Sequence, residues 1–308
     1  MAAAAATPFD AQTRLLMVAP HPDDETLAAG ILLQRVLAAG GAAEVLLLTS
    51  GGNNPWPQRV LERRLRIDAA AQALWAARRQ REIHAALRCL GVPGSHLHAL
   101  EWPDMGLLGC LLHAEGAAVA TLRSCLLRLR PNLLVLPALS DRHPDHGTAH
   151  VLLRLALAGI AEPPVVWTYL IHAASAVQAR IDVGGTTAQR AAKLAALEAH
   201  ASQTALSGGR LRRLATAAER FDELTPTPTN GILPWQPPAL LQPLLWLSVA
   251  DARGAQSWRW PQAPLQRRAE GGYRLMAAHQ GDGPRFARLG LRIPSPWIFD
   301  HWGWCEIG

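Results

Sequence analysis

With 308 residues and 49 % hydrophobic content, the chain can build one large core, or a core plus a smaller addition, and does not read as disordered. The formal charge is +6, but the basic side is arginine with a single lysine, Lys193. No basic run interleaves with aromatics, so a nucleic-acid groove is not expected, while a mildly positive mouth for a phosphorylated or carboxylated substrate stays open. Cys89, Cys110, Cys125 and Cys305 lack C-x-x-C spacing, the N-terminus does not read as a signal peptide, and no apolar run is long enough to span a bilayer. The expectation is a cytoplasmic protein with free thiols and no transmembrane segment.

Residues 1–13 read as a loose tail. Leu15 to Ala19 has the character of a buried parallel strand and ends abruptly in His21, Pro22, Asp23, Asp24 and Glu25. Thr26 to Ala38 is apolar at helical spacing, so the acids lie in a strand-to-helix loop, where open α/β sheets place their ligands. Carboxylates packed this tightly need a cation or hydrogen bonds that hold them apart. A histidine with an aspartate three residues later suits Zn²⁺, which takes imidazole nitrogen and carboxylate oxygen.

Ala43 to Leu48 predicts a second strand, ended by a Gly/Asn/Pro loop, and residues 57–90 predict one long or broken helix closing at Gly91. His96 to Trp102 is a third strand candidate with Asp104 just beyond it, and Ala114 to Leu129 is helical. Asn132 to Pro137 is the next strand. Ser140, Asp141, Arg142, His143, Pro144, Asp145 and His146 follow it, then a helical run from Gly147 to Ala158, so strand, His/Asp loop and helix recur. If the two strands are neighbours, both loops open at one edge and offer three protein ligands with an open fourth position, as catalytic zinc sites do. Pro164 to Leu170 predicts a fifth strand, Ile181 to Val183 a short sixth, and Thr186 to Gln203 a helix with Lys193 and His200 on nearly one face. The alternation predicts an α/β, Rossmann-like doubly wound, mainly parallel sheet with helices on both faces.

Composition changes near Thr225. Beyond a Pro/Thr linker lie seven of the eleven tryptophans: Trp235, Trp246, Trp258, Trp260, Trp297, Trp302 and Trp304. This predicts a β-rich extension or lid over residues 225–308, behind a main domain of residues 14–224. Its tryptophans either fill a small core or line a sugar- or acyl-binding wall. The extension is also the candidate surface for oligomer formation.

HPDDE at 21–25 after one apolar strand, with HPDH at 143–146 after another, resembles the PIG-L / LmbE-like zinc-dependent N-deacetylases. Arg79-x-x-Glu82 ahead of Gly91, Asp104 after the third strand, and Lys193 with His200-x-Ser202-Gln203 are similar to further segments of that family. The resemblance runs over about residues 14 to 222, and residues 225–308 match nothing named. It implies that His21, Asp24 and His146 bind Zn²⁺, with Fe²⁺ as the alternative. It implies Asp23 as general base on a zinc-bound water, and His143 as stabiliser of the oxyanion, with Asp145 orienting its ring. Arg79, Asp104, Lys193 and His200 are the candidate substrate-binding residues. Where mycothiol-type members carry tyrosine, two residues before His143, this chain has Asp141; its D-R-H-P-D-H run is closer to the bacillithiol-type branch.

The chemistry supports that reading independently. Amide hydrolysis needs an activated water, a stabilised oxyanion and a proton for nitrogen. Asp23 and Asp24, adjacent in an extended loop, point to opposite sides, which frees Asp23 to accept a proton. His143, if protonated, stabilises the oxyanion, and Asp145 favours that imidazolium. Glu25 suits the start of the helix. His150, four residues after His146, could form a helix pair for metal, but that would leave the first loop unexplained. His84, His96, His98 and His113 are read as structural. The expected activity is removal of an N-acyl group, acetyl first, from a small amino-sugar substrate such as an N-acetylglucosamine conjugate. The rivals are amide cleavage of a thiol conjugate or longer acyl chain, a nucleotide-sugar binding or glycosyl-transferring protein, and a non-catalytic sugar binder. Against the second stands the missing G-x-G-x-x-G after the first strand.

Overall fold

The computed structural model describes residues 9–113, 116–172, 181–276, 283–292 and 299–308. It divides into two compact units. The first comprises Met1–Gly106, Leu129–Pro137 and Pro164–Leu224, and the second Leu107–Arg128, Ala138–Pro163 and Thr225–Gly308.

The first unit is mixed α/β around a mainly parallel sheet. Its strands are β1 (Arg14–Ala19), β2 (Ala42–Thr49), β3 (Leu97–Trp102), β4 (Leu133–Pro137), β5 (Val165–Tyr169), β6 (Ile181–Val183) and β7 (Glu219–Glu223), in the spatial order β3-β2-β1-β4-β5-β7-β6. The pairs from β3 to β5 are parallel, and β7 runs antiparallel to both β5 and β6. Every residue of β1 after Arg14 and all of β4 are buried, which is why these strands read as unbroken apolar runs. Leu15, Met17, Val45, Leu47 and Val135 share one core with Leu32, Ile83, Leu87, Trp167 and Phe221.

β1 and β4 pair with Leu15 opposite Leu133 and Met17 opposite Val135, so their carboxyl ends lie side by side. The sheet order reverses here: β2 and β3 lie beyond β1, and β5 beyond β4. Open α/β sheets bind ligands outside the carboxyl ends of strands at such a reversal.

Two helical expectations change, and over residues 57–90 the broken form is the one found. Helix α1 (Asp24–Ala38) begins at the acids rather than after them and is kinked at Ala29, where φ is −137°. Residues 57–90 form two helices, α2 (Pro55–Glu62) and α3 (Ala69–Cys89). Arg63 ends the first in a left-handed conformation, and the Asp68 carboxylate caps the second by accepting the Ala71 N–H. The segment expected as one helix to Gln203 also splits, into α7 (Thr187–Ala199) and α8 (Ala201–Thr216), with His200 non-helical at the junction.

The second unit contains α4 (Leu107–His113), α5 (Ala117–Leu129) and α6 (Pro144–Leu157). The expected start of α5 at Ala114 lies outside the described residues. Beyond Thr225 the chain is β-rich: β8 (Ile232–Leu233), β9 (Leu245–Asp251), β10 (Gly254–Arg259), β11 (Leu265–Arg267), β12 (Tyr273–Leu275), β13 (Phe286–Leu291) and β14 (Gly303–Glu306). They form antiparallel sheets ordered β10-β9-β13-β14 and β11-β12-β8. Trp235 and Trp260 sit in the core of this region, and Trp258 and Trp302 pack on it. The guanidiniums of Arg259 and Arg292 each lie over the Trp246 ring, and Trp297 is outside the described residues. Trp304 instead covers α6: a Cβ at Gly147 would come within 2.7 Å of its ring, and its indole N–H donates to Thr148 Oγ1 at 3.2 Å. Arg154 on α6 and Glu306 on β14 add a buried, two-pronged ion pair. Among the described residues no single helix is long and apolar enough to cross a membrane.

Candidate active site

In the first unit the loop after β1 carries the buried carboxylates. The backbone N–H of His21 donates to Asp24 Oδ2 at 2.8 Å, and Asp24 Oδ2 lies 3.4 Å from His21 Nδ1. His21 Nε2 faces Asp104 Oδ1 at 3.3 Å, while the Asn53 N–H donates to the other Asp104 oxygen at 2.8 Å. Burial opposes ionisation of Asp104, but the hydrogen bond and charge of His21, then Arg79 and the Asn53 N–H, hold it below its ordinary value. Asp104 thus backs His21 directly, a position different from the expected substrate contact.

Asp23 adopts φ 123°, a conformation that L-residues rarely take. Three neighbours hold it there. Glu25 Oε2 accepts the Asp23 N–H at 3.0 Å, Arg79 Nη2 donates to Asp23 Oδ1 at 3.2 Å, and the same guanidinium donates to the carbonyls of Pro22 and Gly51. Burial, helped by the charges of Asp24 and Glu25, pushes Asp23 up to about 6 against the pull of Arg79 and His200. Arg79 is 3 % exposed. The structure therefore places it under the loop as a positioning residue, in place of the expected substrate contact. Gly51 makes room for it: at φ +66° a Cβ would come within 2.3 Å of Arg79 Nη1. Gly51→Ala is expected to cost about 1–2 kcal/mol from its backbone alone and more from displacing Arg79. A parental melting temperature in that variant would remove Arg79 from this role.

His200 is also fully buried, its Nε2 2.9 Å from Glu25 Oε1. Burial opposes the charge on both groups. Their mutual attraction wins, holding Glu25 below and His200 above their ordinary values, so the pair is carboxylate and imidazolium. The expected substrate contact of His200 becomes a brace for the Asp23 loop. Glu82 fixes the break beside it, accepting the Ser202 N–H at 3.0 Å and the Ser202 hydroxyl at 2.5 Å. Gln203 Oε1 in turn accepts from Asn54 Nδ2 at 3.0 Å. Lys193 lies in the core, 1 % exposed, donating to Glu219 Oε1 at 2.7 Å and to the Leu27 carbonyl at 3.0 Å. Its expected contact with substrate is replaced by an anchoring one. Glu219 Oε1 and Oε2 accept the N–H groups of Ile31 and Leu32, which the kink in α1 exposes.

In the second unit the HPDH segment opens α6. His143 is its N-cap and Pro144 its first residue. The Asp145 N–H donates to His143 Nδ1 at 3.3 Å, and Asp145 Oδ1 accepts the Leu107 N–H at 3.2 Å. A donor at Nδ1 places the proton of a neutral His143 ring on Nε2. Asp141 accepts the His143 N–H at 2.9 Å, and its other oxygen lies 3.2 Å from His146 Nδ1. That carboxylate puts the His146 proton on Nδ1 and the lone pair on Nε2, the tautomer a metal ligand needs. Phe299 meets the His143 ring edge-on at 6.2 Å, and the Asp300 N–H donates to the Arg142 carbonyl at 2.8 Å.

Sequence reasoning gave Glu25 the helix start but not its pairing with His200, and it missed the bracing roles of Glu82 and Asp141, although all three lie in or beside its motifs. It had no signal for Glu219.

No curated protein sequence matches this one significantly. Among solved structures, N,N'-diacetylchitobiose deacetylase from Pyrococcus horikoshii is 19 % identical, with 68 % of this chain and 83 % of that one covered and a TM-score of 0.53. The conserved protein TT1542 from Thermus thermophilus is 26 % identical over 74 % of this chain and 100 % of that one, with a TM-score of 0.51. GalB, the 4-carboxy-2-hydroxymuconate hydratase from Pseudomonas putida KT2440, is 19 % identical over 71 % and 98 %, also at 0.51. A deacetylase and a hydratase thus share this fold, and the likeness to them concerns the fold. Residues 16–157, which carry both His/Asp motifs, match the family model PIG-L, GlcNAc-PI de-N-acetylase.

Proposed function

We propose that the chain is a zinc-dependent N-deacetylase that hydrolyses the acetamide of an amino sugar or amino-sugar conjugate. His21, Asp24 and His146 would hold the metal. The donor set fits: two imidazoles and one carboxylate are borderline-soft Zn²⁺ ligands, and Asp141 fixes the His146 tautomer that ligation needs. The observation that carries the reading is strand order. β1 and β4, whose loops bear HPDDE and HPDH, are parallel neighbours at the reversal of the sheet.

A bound Zn²⁺ would supply Lewis acidity, polarising the acyl carbonyl and acidifying water. Asp23, pushed up to about 6, is poised to take a proton from the attacking water and return it to the leaving amine. Arg79 and the Glu25–His200 pair hold its carboxylate in place, so little reorganisation accompanies the transfer. His143, with its proton on Nε2, is a donor for the developing oxyanion.

The test is metal content of the purified protein, together with amine release from N-acetylglucosamine conjugates before and after chelation. About one metal per chain and chelator-sensitive release are expected. Asp24→Ala and His146→Ala should lose both, and full activity in either would overturn the assignment. Asp141→Ala should weaken zinc affinity about 10–100-fold in a chelator competition while the chain stays folded. Parental affinity would detach Asp141 from the metal centre.

A further inference from the structure

The sheet β10-β9-β13-β14 of the second unit has two unlike faces. Leu245, Leu247 and Val249 of β9 lie on one, in a core with Ala287 and Leu289 of β13. Alternation puts Trp246 and Ser248 on the other. Residues directly opposite share a face, so this second face also carries Arg259 and Ser257 of β10 and Gly290 and Arg288 of β13. Three guanidiniums meet at Trp246. Those of Arg259 and Arg292 each lie over its ring, 5.8 and 4.3 Å from the centroid. That of Arg288 lies over Gly290, the strand partner of Trp246, where a Cβ would come within 2.5 Å of its Nη1.

The cluster is not neutral. Asp300 takes the Arg288 guanidinium in a two-pronged pair. Among the described residues no carboxylate comes within ion-pair distance of Arg259 or Arg292. Arg292 gives one bond to Ser257 Oγ at 2.6 Å, and Arg259 donates to no protein acceptor among those residues. Both arginines are exposed, while Trp246 is half-buried. Burial and the charge of Arg288 hold Arg292 below its ordinary value, the mark of cations kept close against their repulsion. Stacking on the indole holds the two arginines in place but leaves their charges uncompensated.

We propose that this face of the β-rich region is a binding site for a phosphate group, clasped by Arg259 and Arg292 beside Trp246. A guanidinium presents its N–H donors in a planar fork that matches phosphate oxygens, and a phosphate dianion carries the charge that balances the two arginines. Stacking on one indole orders both forks before the ion arrives, which lowers the cost of binding. Arg288 ties the site to the HPDH segment of the same unit, because its partner Asp300 donates its backbone N–H to the Arg142 carbonyl at 2.8 Å. The site stands independently of the deacetylase reading.

The experiment is titration calorimetry of the full chain with inorganic phosphate at fixed ionic strength, before and after chelation. The expected result is saturable binding that survives chelation and weakens about 10–100-fold in Arg259→Ala or Arg292→Ala. Arg292→Lys, which keeps the charge and loses the fork, should fall between parent and alanine variant, and it keeps the test open should an alanine variant fail to fold. Phosphate should also change the tryptophan emission of the parent but not that of Trp246→Phe. Absence of saturable binding, its loss on chelation, or parental affinity in the Arg259→Ala/Arg292→Ala double variant overturns the site. The same titration with glucosamine 6-phosphate separates the two sources of the group. Tighter binding than inorganic phosphate, lost in the same variants, supports a phosphate carried on a sugar, and equal affinity supports a free phosphate ion.

Discussion

Asp23→Asn is expected to lower turnover by about 10²–10⁴-fold and, at pH 7.5, to raise the melting temperature of the metal-free chain by a few degrees. Asn cannot accept a proton from water, which accounts for the lost turnover. The stability gain follows from where the carboxylate sits. Burial pushes it up from 3.8 to about 6, and that shift already includes the attraction of Arg79. Between those two values the folded chain takes up a proton that the unfolded chain does not. Stability therefore falls as pH rises through this window, by at most about 3 kcal/mol, and the cost is fully present above 6. Asn carries no charge, and its Oδ1 can still accept from Arg79 Nη2. The gain should vanish below pH 3.8, where Asp23 is protonated in both states. Equal melting temperatures at pH 7.5 would show that Asp23 is not held at a cost, and parental turnover would remove it as the base.

The parts of this arrangement that were legible in the sequence are those dictated locally. An apolar run that ends in His and Asp announces both a central strand and the polar loop at its carboxyl end, and β1 and β4 both carry that signature. What was not legible depends on partners distant in the chain. Arg79 and Glu82 look like solvent-facing helix charges until the Pro22 and Gly51 carbonyls and the α8 N-terminus appear beside them. The residues around His200 carry no Gly or Pro, so propensity alone continues the helix across it. The break is held by Glu25 on one side and Glu82 on the other. The same holds for the extent of the second unit. Nothing local in α6 indicates that Trp304 and Glu306, about 150 residues away, will cover and clamp it.

Lys193→Met is expected to destabilise the chain by about 3–5 kcal/mol, a large part of a typical domain's stability. The kink at Ala29 disrupts helical pairing in α1, and three of its backbone groups take partners from elsewhere. The Ile31 and Leu32 N–H groups go to Glu219, and the Leu27 carbonyl goes to Lys193. Lys193 and Glu219 are each about 1 % exposed at the side chain and bond each other at 2.7 Å, so they satisfy the break and neutralise each other in one step. Removing the ammonium alone leaves a buried carboxylate that burial already pushes above its ordinary value. Arginine should not rescue the site. The lysine stem threads past Gly30, where even a Cβ would lie 3.0 Å from Lys193 Cγ, and a planar guanidinium is wider than an ammonium. Lys193→Met combined with Glu219→Gln should recover much of the loss, because the glutamine carbonyl can still accept a backbone N–H without stranding a charge. A double-mutant cycle by urea unfolding measures this coupling. Additive losses would mean that the two residues stabilise α1 separately. A non-additive recovery would mean that the one lysine in an arginine-rich chain is there to close a broken helix.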